Sequence, residues 1–520
     1  MEKEDSTEKN LKLIAKTSFI VLIGLILSKV LAYVYKVIIA RYFGPDVYGL
    51  FSLAFTASSL FLAIASFGLS EGLLRYIPQY RAKNKTDKIR YIFKLTVKFS
   101  MISGIIASLV LFFMAKFISV SIFHDPRLII FIQIFSLLIT ISLITNIFLM
   151  LLRGFEEIAW YSFINNILQN LIRVGLLIIL IFLGISSGGD IVAWSYVLGA
   201  LLVLLITYII SRYKLHQIFG DYKIKDKKLV RSEIVSYSWP LMFYSVIAII
   251  FVWVDSFSIG YYKSAAEVGI YNASVSIALL LGLVPEIFMQ LFFPLINREY
   301  SKKNYFLIEQ LSKQVAKWIF LINLPLFILL FFFPGAALNI LFGNQYLGAE
   351  NSLRLLIISS FISSLAAVSI QLISVKGKSK LILMNIVIGT VLNIILNSFL
   401  VPMNSIFSID NSSGLVGAAA ATLISVTVIN ILFFLQTKKY FSFIPLRRKM
   451  LTISLIAIIP TLTLFYLKNM IKSTLFSVLL VSASFFILYS LLVLVSGALD
   501  KNDLMIIKST LRKVFKGLKN

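Results

Sequence analysis

A chain of 520 residues that is 59% apolar, with a mean hydropathy of +0.93, excludes a water-soluble globular domain, since nearly every stretch of about 20 residues is apolar enough to span a bilayer. Hydrocarbon offers no water to free backbone groups, so long runs rich in Leu, Ile and Phe predict helices rather than a barrel with its alternating segments of about ten residues. The formal charge of +26 falls mainly in short connections between apolar runs, a pattern of membrane topology rather than of nucleic-acid binding, and the absence of Cys excludes a disulfide framework, a thiolate metal site and a Cys nucleophile.

In chain order, residues 1–16 mix acids and bases. The apolar run after them contains Lys29 and Lys36 and no small-residue cleavage site, so it reads as a retained first span and not a signal peptide. Apolar runs predict spans near 14–40, 49–75, 92–117, 128–152, 159–183 and 191–212. A second set lies near 234–260, 268–296, 314–334, 352–375, 380–402 and 414–436, and a final pair near 450–467 and 474–496. The expectation is an all-α polytopic membrane protein of about fourteen transmembrane helices. Connections near 76–91, 212–232, 297–313, 376–380 and 437–449, with both termini, hold most of the 49 Lys and Arg and are expected in the cytoplasm, which points to a multi-pass protein of the plasma membrane. In the last residues Leu504, Ile507, Leu511, Val514 and Leu518 recur at helical spacing opposite Lys508, Arg512, Lys513, Lys516 and Lys519, predicting a basic amphipathic tail on the anionic inner leaflet.

The sequence repeats itself. Arg41-Tyr-Phe-Gly-Pro-Asp-Val-Tyr-Gly49-Leu-Phe51 resembles Gly260-Tyr-Tyr-Lys-Ser-Ala-Ala-Glu-Val-Gly269-Ile-Tyr271 at an offset of about 220 residues. Phe123 likewise matches Phe342, and Arg153-Gly154 matches Lys376-Gly377. Two six-helix lobes in the same orientation follow, with a cavity expected between them. The predicted domains are 1–225, 226–437 and a helix pair with the tail at 438–520.

An ionisable side chain at mid-bilayer costs roughly 2.5–3.5 kcal/mol on the insertion scale, so each one within a span requires a partner, a wet cavity or a task. Lys29, Tyr33 and Lys36 form one polar stripe on the first span, and Asn166, Gln169, Asn170 and Arg173 form a seam on the fifth. Arg75 follows Glu71 at the spacing of an intrahelical ion pair. Asp255 and Glu286 are the main carboxylates of the second lobe, suited either to a coupling cation (sodium or proton) or to neutralising a cavity lysine. The first lobe thus holds more positive than negative charge, which suits an anionic ligand such as a diphosphate.

Ser28-Lys29, then Ala40-Arg41-Tyr-Phe-Gly44-Pro45-Asp46-Val-Tyr48-Gly49, then Gly68-Leu-Ser-Glu-Gly-Leu-Leu-Arg75-Tyr76 resemble the polysaccharide-transport flippases of the multidrug/oligosaccharidyl-lipid/polysaccharide exporter superfamily. Asp255 with Gly260, Val268-Gly269-Ile-Tyr271-Asn-Ala273 and Gly414-Leu-Val-Gly417 extend the resemblance over nearly the whole chain. It implies a two-lobed, fourteen-helix flippase that moves a polyprenyl-linked oligosaccharide between leaflets by alternating access. On that resemblance the substrate diphosphate falls to Lys29, Lys36 and Arg173, with Arg75 and Arg41 as further basic candidates. Span one carries cations and no carboxylate, a departure from the drug-antiporter branch that puts ion coupling through that helix in doubt. The expected partners are the lipid-linked glycan, membrane lipids and a coupling cation, with no nucleic acid, no cofactor and a monomeric state.

Two other functions compete. A cation-coupled multidrug antiporter on the same fold would use a carboxylate-lined pocket, which Asp255 and Glu286 keep open. A membrane polysaccharide polymerase or ligase would present catalytic groups on a sizeable outer loop. The outer connections are short, and no His-carboxylate or phosphate-loop constellation occurs, so no enzyme is expected.

Overall fold

The computed structural model describes residues 2–184, 188–224, 226–406, 408–470 and 475–497. Among these the chain is almost wholly helical, as apolar runs whose backbone groups find partners only within their own turns must be. The first half comprises α1 (Glu2–Ser66), α2 (Leu69–Ala82), α3 (Thr86–Phe117), α4 (Leu128–Gly154), α5 (Ile158–Ser162), α6 (Gln169–Phe182), α7 (Ile191–Lys214) and α8 (Lys227–Tyr262). The second comprises α9 (Ala265–Ala278), α10 (Leu283–Ser301), α11 (Tyr305–Phe332), α12 (Pro334–Leu341), α13 (Glu350–Val375), α14 (Ser379–Leu400), α15 (Leu415–Phe441), α16 (Lys449–Met470) and α17 (Leu475–Val495). The connection before α15 is a small antiparallel hairpin, with Ser405 opposite Asp410 and Ile406 opposite Ile409.

Among the described residues, 12 helical segments are long and apolar enough to cross a membrane, and Leu480–Val495 is a shorter apolar helix. The first of the 12, Ile26–Ser66, has 41 residues and consists of two arms. Residues 41–48, expected to separate spans one and two, form an elbow inside this helix: Gly44 takes a positive φ (φ 80°, ψ 179°) that glycine alone adopts readily, and Pro45 begins the second arm, where its missing N–H costs no helical bond. Fourteen spans stand as the expectation beside these 12. The basic tail expected at 501–520 lies outside the described residues.

The expected second span, 49–75, is corrected. Phe67 (φ 45°) and Gly68 (φ 64°) end α1, so Arg75 sits on the separate helix α2. The fifth span is also interrupted: a π-helical turn at Phe163–Leu168 separates α5 from α6. The connection at 336–350 contains α12 and a 3₁₀ turn, Asn344–Ala349.

The chain forms two compact units, Met1–Ala273 with Thr390–Ala418, and Ser274–Gly389 with Ala419–Asn520. These are units of packing; lobes bounded at 225 and 437 are units of sequence, and the two divisions differ. In the first unit, α8, the start of α9 and the end of α14 pack with the N-terminal helices. The reason is visible at the repeat. A methyl group placed on Gly49 would overlap the Ala265 carbonyl oxygen, and one on Gly269 would overlap the Pro45 carbonyl oxygen, so the matching motifs meet backbone to backbone as small-residue helix crossings in membranes do. Arg127 braces the elbow from the side, its guanidinium 3.2 Å from Asp46 and 2.8 Å from Asp125. Burial pushes the Asp125 carboxyl upward, but hydrogen bonds from Arg127 and the nearby positive charge outweigh it and hold the group below the usual carboxylate range.

Leu73, Ile77, Ile92, Leu151, Leu152 and Ile218 form a buried core in the first unit. The second unit has one core around Phe320, Ile453, Leu464 and Phe485 and another around Ile296, Ile308, Ile319 and Leu372.

Candidate functional site

The π turn divides the polar seam predicted on span five. Asn165, Gln169 and Arg173, four residues apart in succession, line a cavity of about 230 Å³. Asn166 and Asn170 face elsewhere: the Asn170 amide donates to the Ser28 hydroxyl (3.0 Å) and carbonyl (3.3 Å), fastening α6 to the first arm of α1, and Asn166 donates to Ser162 (3.0 Å). An extra residue in a helical turn re-aims the side chains around it.

Four parts of the first unit build this cavity. The second arm of α1 contributes Phe55, Ser58, Ser59 and Leu62, and α4 contributes Ser142, Thr145 and Asn146 among apolar residues. Tyr196, Ala200 and Val203 come from α7. The lining is therefore hydroxyls and amides around one cation, with no carboxylate among its residues. The Arg173 guanidinium lies 4.0 Å from the centre of the Tyr196 ring. Tyr196 is itself wedged among Phe51, Phe55 and Phe135 at 5.6–5.7 Å. Its neighbour Ser195 is 3.2 Å from the Tyr35 hydroxyl, which also donates to the Val192 carbonyl. Arg173 Nε and Ser58 Oγ are buried and have no hydrogen-bond partner among the described residues.

The other predicted basic residues lie elsewhere. Lys29 is exposed and Lys36 half-buried on the first arm of α1, and neither lines the Arg173 cavity. Arg41 is exposed at the elbow. Arg75, also exposed, places its guanidinium 4.1 Å from the centre of the Tyr237 ring, and no ion pair with Glu71 occurs among the described residues. Stacking on α8 takes the place of the pair expected from their spacing.

Asp255 is 7% exposed and receives hydrogen bonds from Tyr271 (2.6 Å), Asn397 (2.9 Å) and Asn393 (3.3 Å). Asn397 Oδ1 beside it is buried without a hydrogen-bond partner among the described residues. Glu286 lines a different cavity, of about 470 Å³, with Gln290 and Gln371 in the second unit. Sequence reasoning missed Tyr196 and the cavity hydroxyls, and also Lys317, a wholly buried cation of α11 whose position inside an apolar run was the available signal.

The profile of the family described as polysaccharide biosynthesis protein matches residues 14–299, more than half of the chain, and that of the MatE family matches residues 240–399. An uncharacterized membrane protein of Methanocaldococcus jannaschii is 23% identical over 90% of this chain and 93% of its own. The lipid II flippase MurJ of Bacillus subtilis is 21% identical over 76% and 78%. Among solved structures, lipid II flippase MurJ in an inward closed conformation superposes with a TM-score of 0.72 at 16% identity, covering 92% of this chain and 99% of that one. An inward-facing multidrug resistance MATE family transporter superposes with a TM-score of 0.65 at 16% identity, covering 82% and 98%. With its helical membrane architecture and these matches, the chain belongs to the polysaccharide biosynthesis protein family, within the multidrug/oligosaccharidyl-lipid/polysaccharide exporter superfamily.

Proposed function

We propose that this protein is a flippase that carries a polyprenyl-diphosphate-linked oligosaccharide from the inner to the outer leaflet by alternating access, for cell-surface polysaccharide or glycoconjugate assembly. It sits in the plasma membrane as a monomer with both termini in the cytoplasm, and its lobes at 1–225 and 226–437 rock between inward-open and outward-open states while the anionic group stays in the Arg173 cavity within the first lobe. The observation that carries this reading is the Arg173 cavity, a cation among hydroxyls and amides with no carboxylate in the lining. A cationic drug would meet repulsion there, whereas a phosphate oxygen finds charge-assisted donors. Lys29 and Lys36 extend positive charge along the first arm of α1, and Arg41 and Arg75 supply further basic stations.

Asp255 is the candidate coupling site. A buried carboxylate with an unpartnered amide oxygen beside it offers hard oxygen ligands to sodium, and turning the amide of Asn393 or Asn397 over would exchange a donor for another ligand. Glu286 is the second candidate. The same carboxylates support the multidrug antiporter as the alternative reading.

The experiment follows labelled lipid-linked glycan between leaflets in cells depleted of this protein. Glycan should accumulate on the inner leaflet, and wild type should restore export. Arg173→Ala should lower export at least tenfold at equal expression, with Arg173→Lys keeping part of it. Unchanged glycan together with altered resistance to cationic drugs would favour the antiporter.

A further inference from the structure

The second arm of α1 is a wall shared by two cavities of opposite character. Ser58, Ser59 and Leu62 face the Arg173 cavity, while Thr56 and Leu60, roughly a third of a turn around the helix, face a second cavity of about 510 Å³. Residues 249–262 of α8, chiefly Ile250, Trp253 and Phe257, line the second cavity, and Ile394 and Ser398 of α14 complete it. No Lys, Arg, Asp or Glu is among its lining residues. Asp255 sits on the same helix but directs its carboxylate to Tyr271, Asn393 and Asn397. Between the cavities stands an aromatic pair: Phe55 of the polar lining and Trp253 of the apolar lining, ring centres 5.7 Å apart.

We propose that the apolar cavity seats the hydrocarbon chain of the same molecule whose anionic group binds at Arg173, so that the two cavities form one amphiphile site divided by the Phe55–Trp253 pair. This rests on the reading of the Arg173 cavity as an anion site. Adjacency argues for the occupant: an anion-binding cavity and a larger, uncharged, aromatic one on either side of a single helix match a polar head joined to an isoprenoid chain. A free sugar would leave the apolar side unused, and an inorganic anion would leave it empty. The aromatic lining suits a branched, unsaturated chain, and each methylene it buries tightens binding by about fourfold.

The test uses the full chain in nanodiscs and measures binding of inorganic pyrophosphate and of isopentenyl, geranyl and farnesyl diphosphates. Wild type should bind the three prenyl compounds with affinity rising at least about tenfold for each added isoprene unit, short of the roughly thousandfold that complete burial of its five carbons would give. Trp253→Ala should flatten that rise while leaving pyrophosphate binding unchanged. Leu60→Asn, on a different helix, should do the same and stands in should the Trp253 variant fail to fold. A flat series in wild type, or a steep one that neither variant alters, overturns the proposal, the latter because bulk lipid would then be holding the chain. Pyrophosphate binding that ignores Arg173→Ala sinks the anion reading by itself and leaves the chain-length series to decide the apolar cavity.

Discussion

Arg173 owes its availability to the kind of neighbour it has. A guanidinium paired with a carboxylate has its charge spent, but one laid on an aromatic face keeps its in-plane N–H groups for another partner, and the contact is worth about 0.5–2 kcal/mol. Tyr196 is therefore a positioning residue. We expect Tyr196→Leu to weaken pyrophosphate binding roughly tenfold while Tyr196→Phe, which keeps the ring, binds as wild type; equal loss in both would mean that the hydroxyl and not the face matters. Arg173 was legible in the sequence because a cation in an apolar run carries a large insertion cost. The hydroxyls around it were not. Ser and Thr satisfy themselves within helices, as Thr145 does by donating to the Ile141 carbonyl at 2.7 Å, so their presence in an apolar run carries no cost that flags a site.

At the scale of the element, the informative features are departures from regular helix. The periodicity of span five placed Asn166, Gln169, Asn170 and Arg173 on one side, which holds for an unbroken helix; across the π turn at Phe163–Leu168, Asn165 lines the cavity with Gln169 and Arg173, while Asn166 bonds Ser162 in its own span and Asn170 bonds Ser28 of α1. No single-residue pattern announces such a turn. The elbow was visible, since Gly44-Pro45 marks a break, but sequence gave no means of telling a loop from a kink within a continuous helix. Its close packing makes a definite prediction. Gly49→Val should sharply lower the yield of folded protein, because the added atoms fall on the Ala265 carbonyl, whereas Gly175→Ala, with nothing within 4 Å of the new methyl, should express normally and match or exceed wild type in thermal stability. Equal folded yields from the two variants would contradict the backbone crossing.

At the scale of the molecule, the all-helical membrane architecture and the repeat were both readable, the first from hydropathy and the second from matching Gly and aromatic positions. The compact units were not, because they depend on which helices touch. Asn411 illustrates the point: wholly buried, it donates to the carbonyls of Leu400 and Met403 and accepts from the Gly417 amide, closing a late segment that belongs to the first unit. A fragment ending at residue 225, at the lobe boundary drawn from sequence, lacks α8, α9 and the 390–418 segment. We expect it to be degraded or to unfold at least 10 °C below the full chain, and co-expression with residues 226–520 to restore it; an independently stable fragment would show that the early helices are self-sufficient.

The crossing of Gly49 with Ala265 and of Gly269 with Pro45 also sets an order of events during synthesis. The first elbow enters the bilayer with its steric partner still about 220 residues from being translated, and the segment that completes its unit is later still. The early helices must therefore wait with a bare glycine surface uncovered, and the first unit closes only after most of the chain has left the ribosome. Assembly of this half is a late, long-range event, so a pause or truncation before residue 418 leaves the N-terminal helices inserted but unassembled.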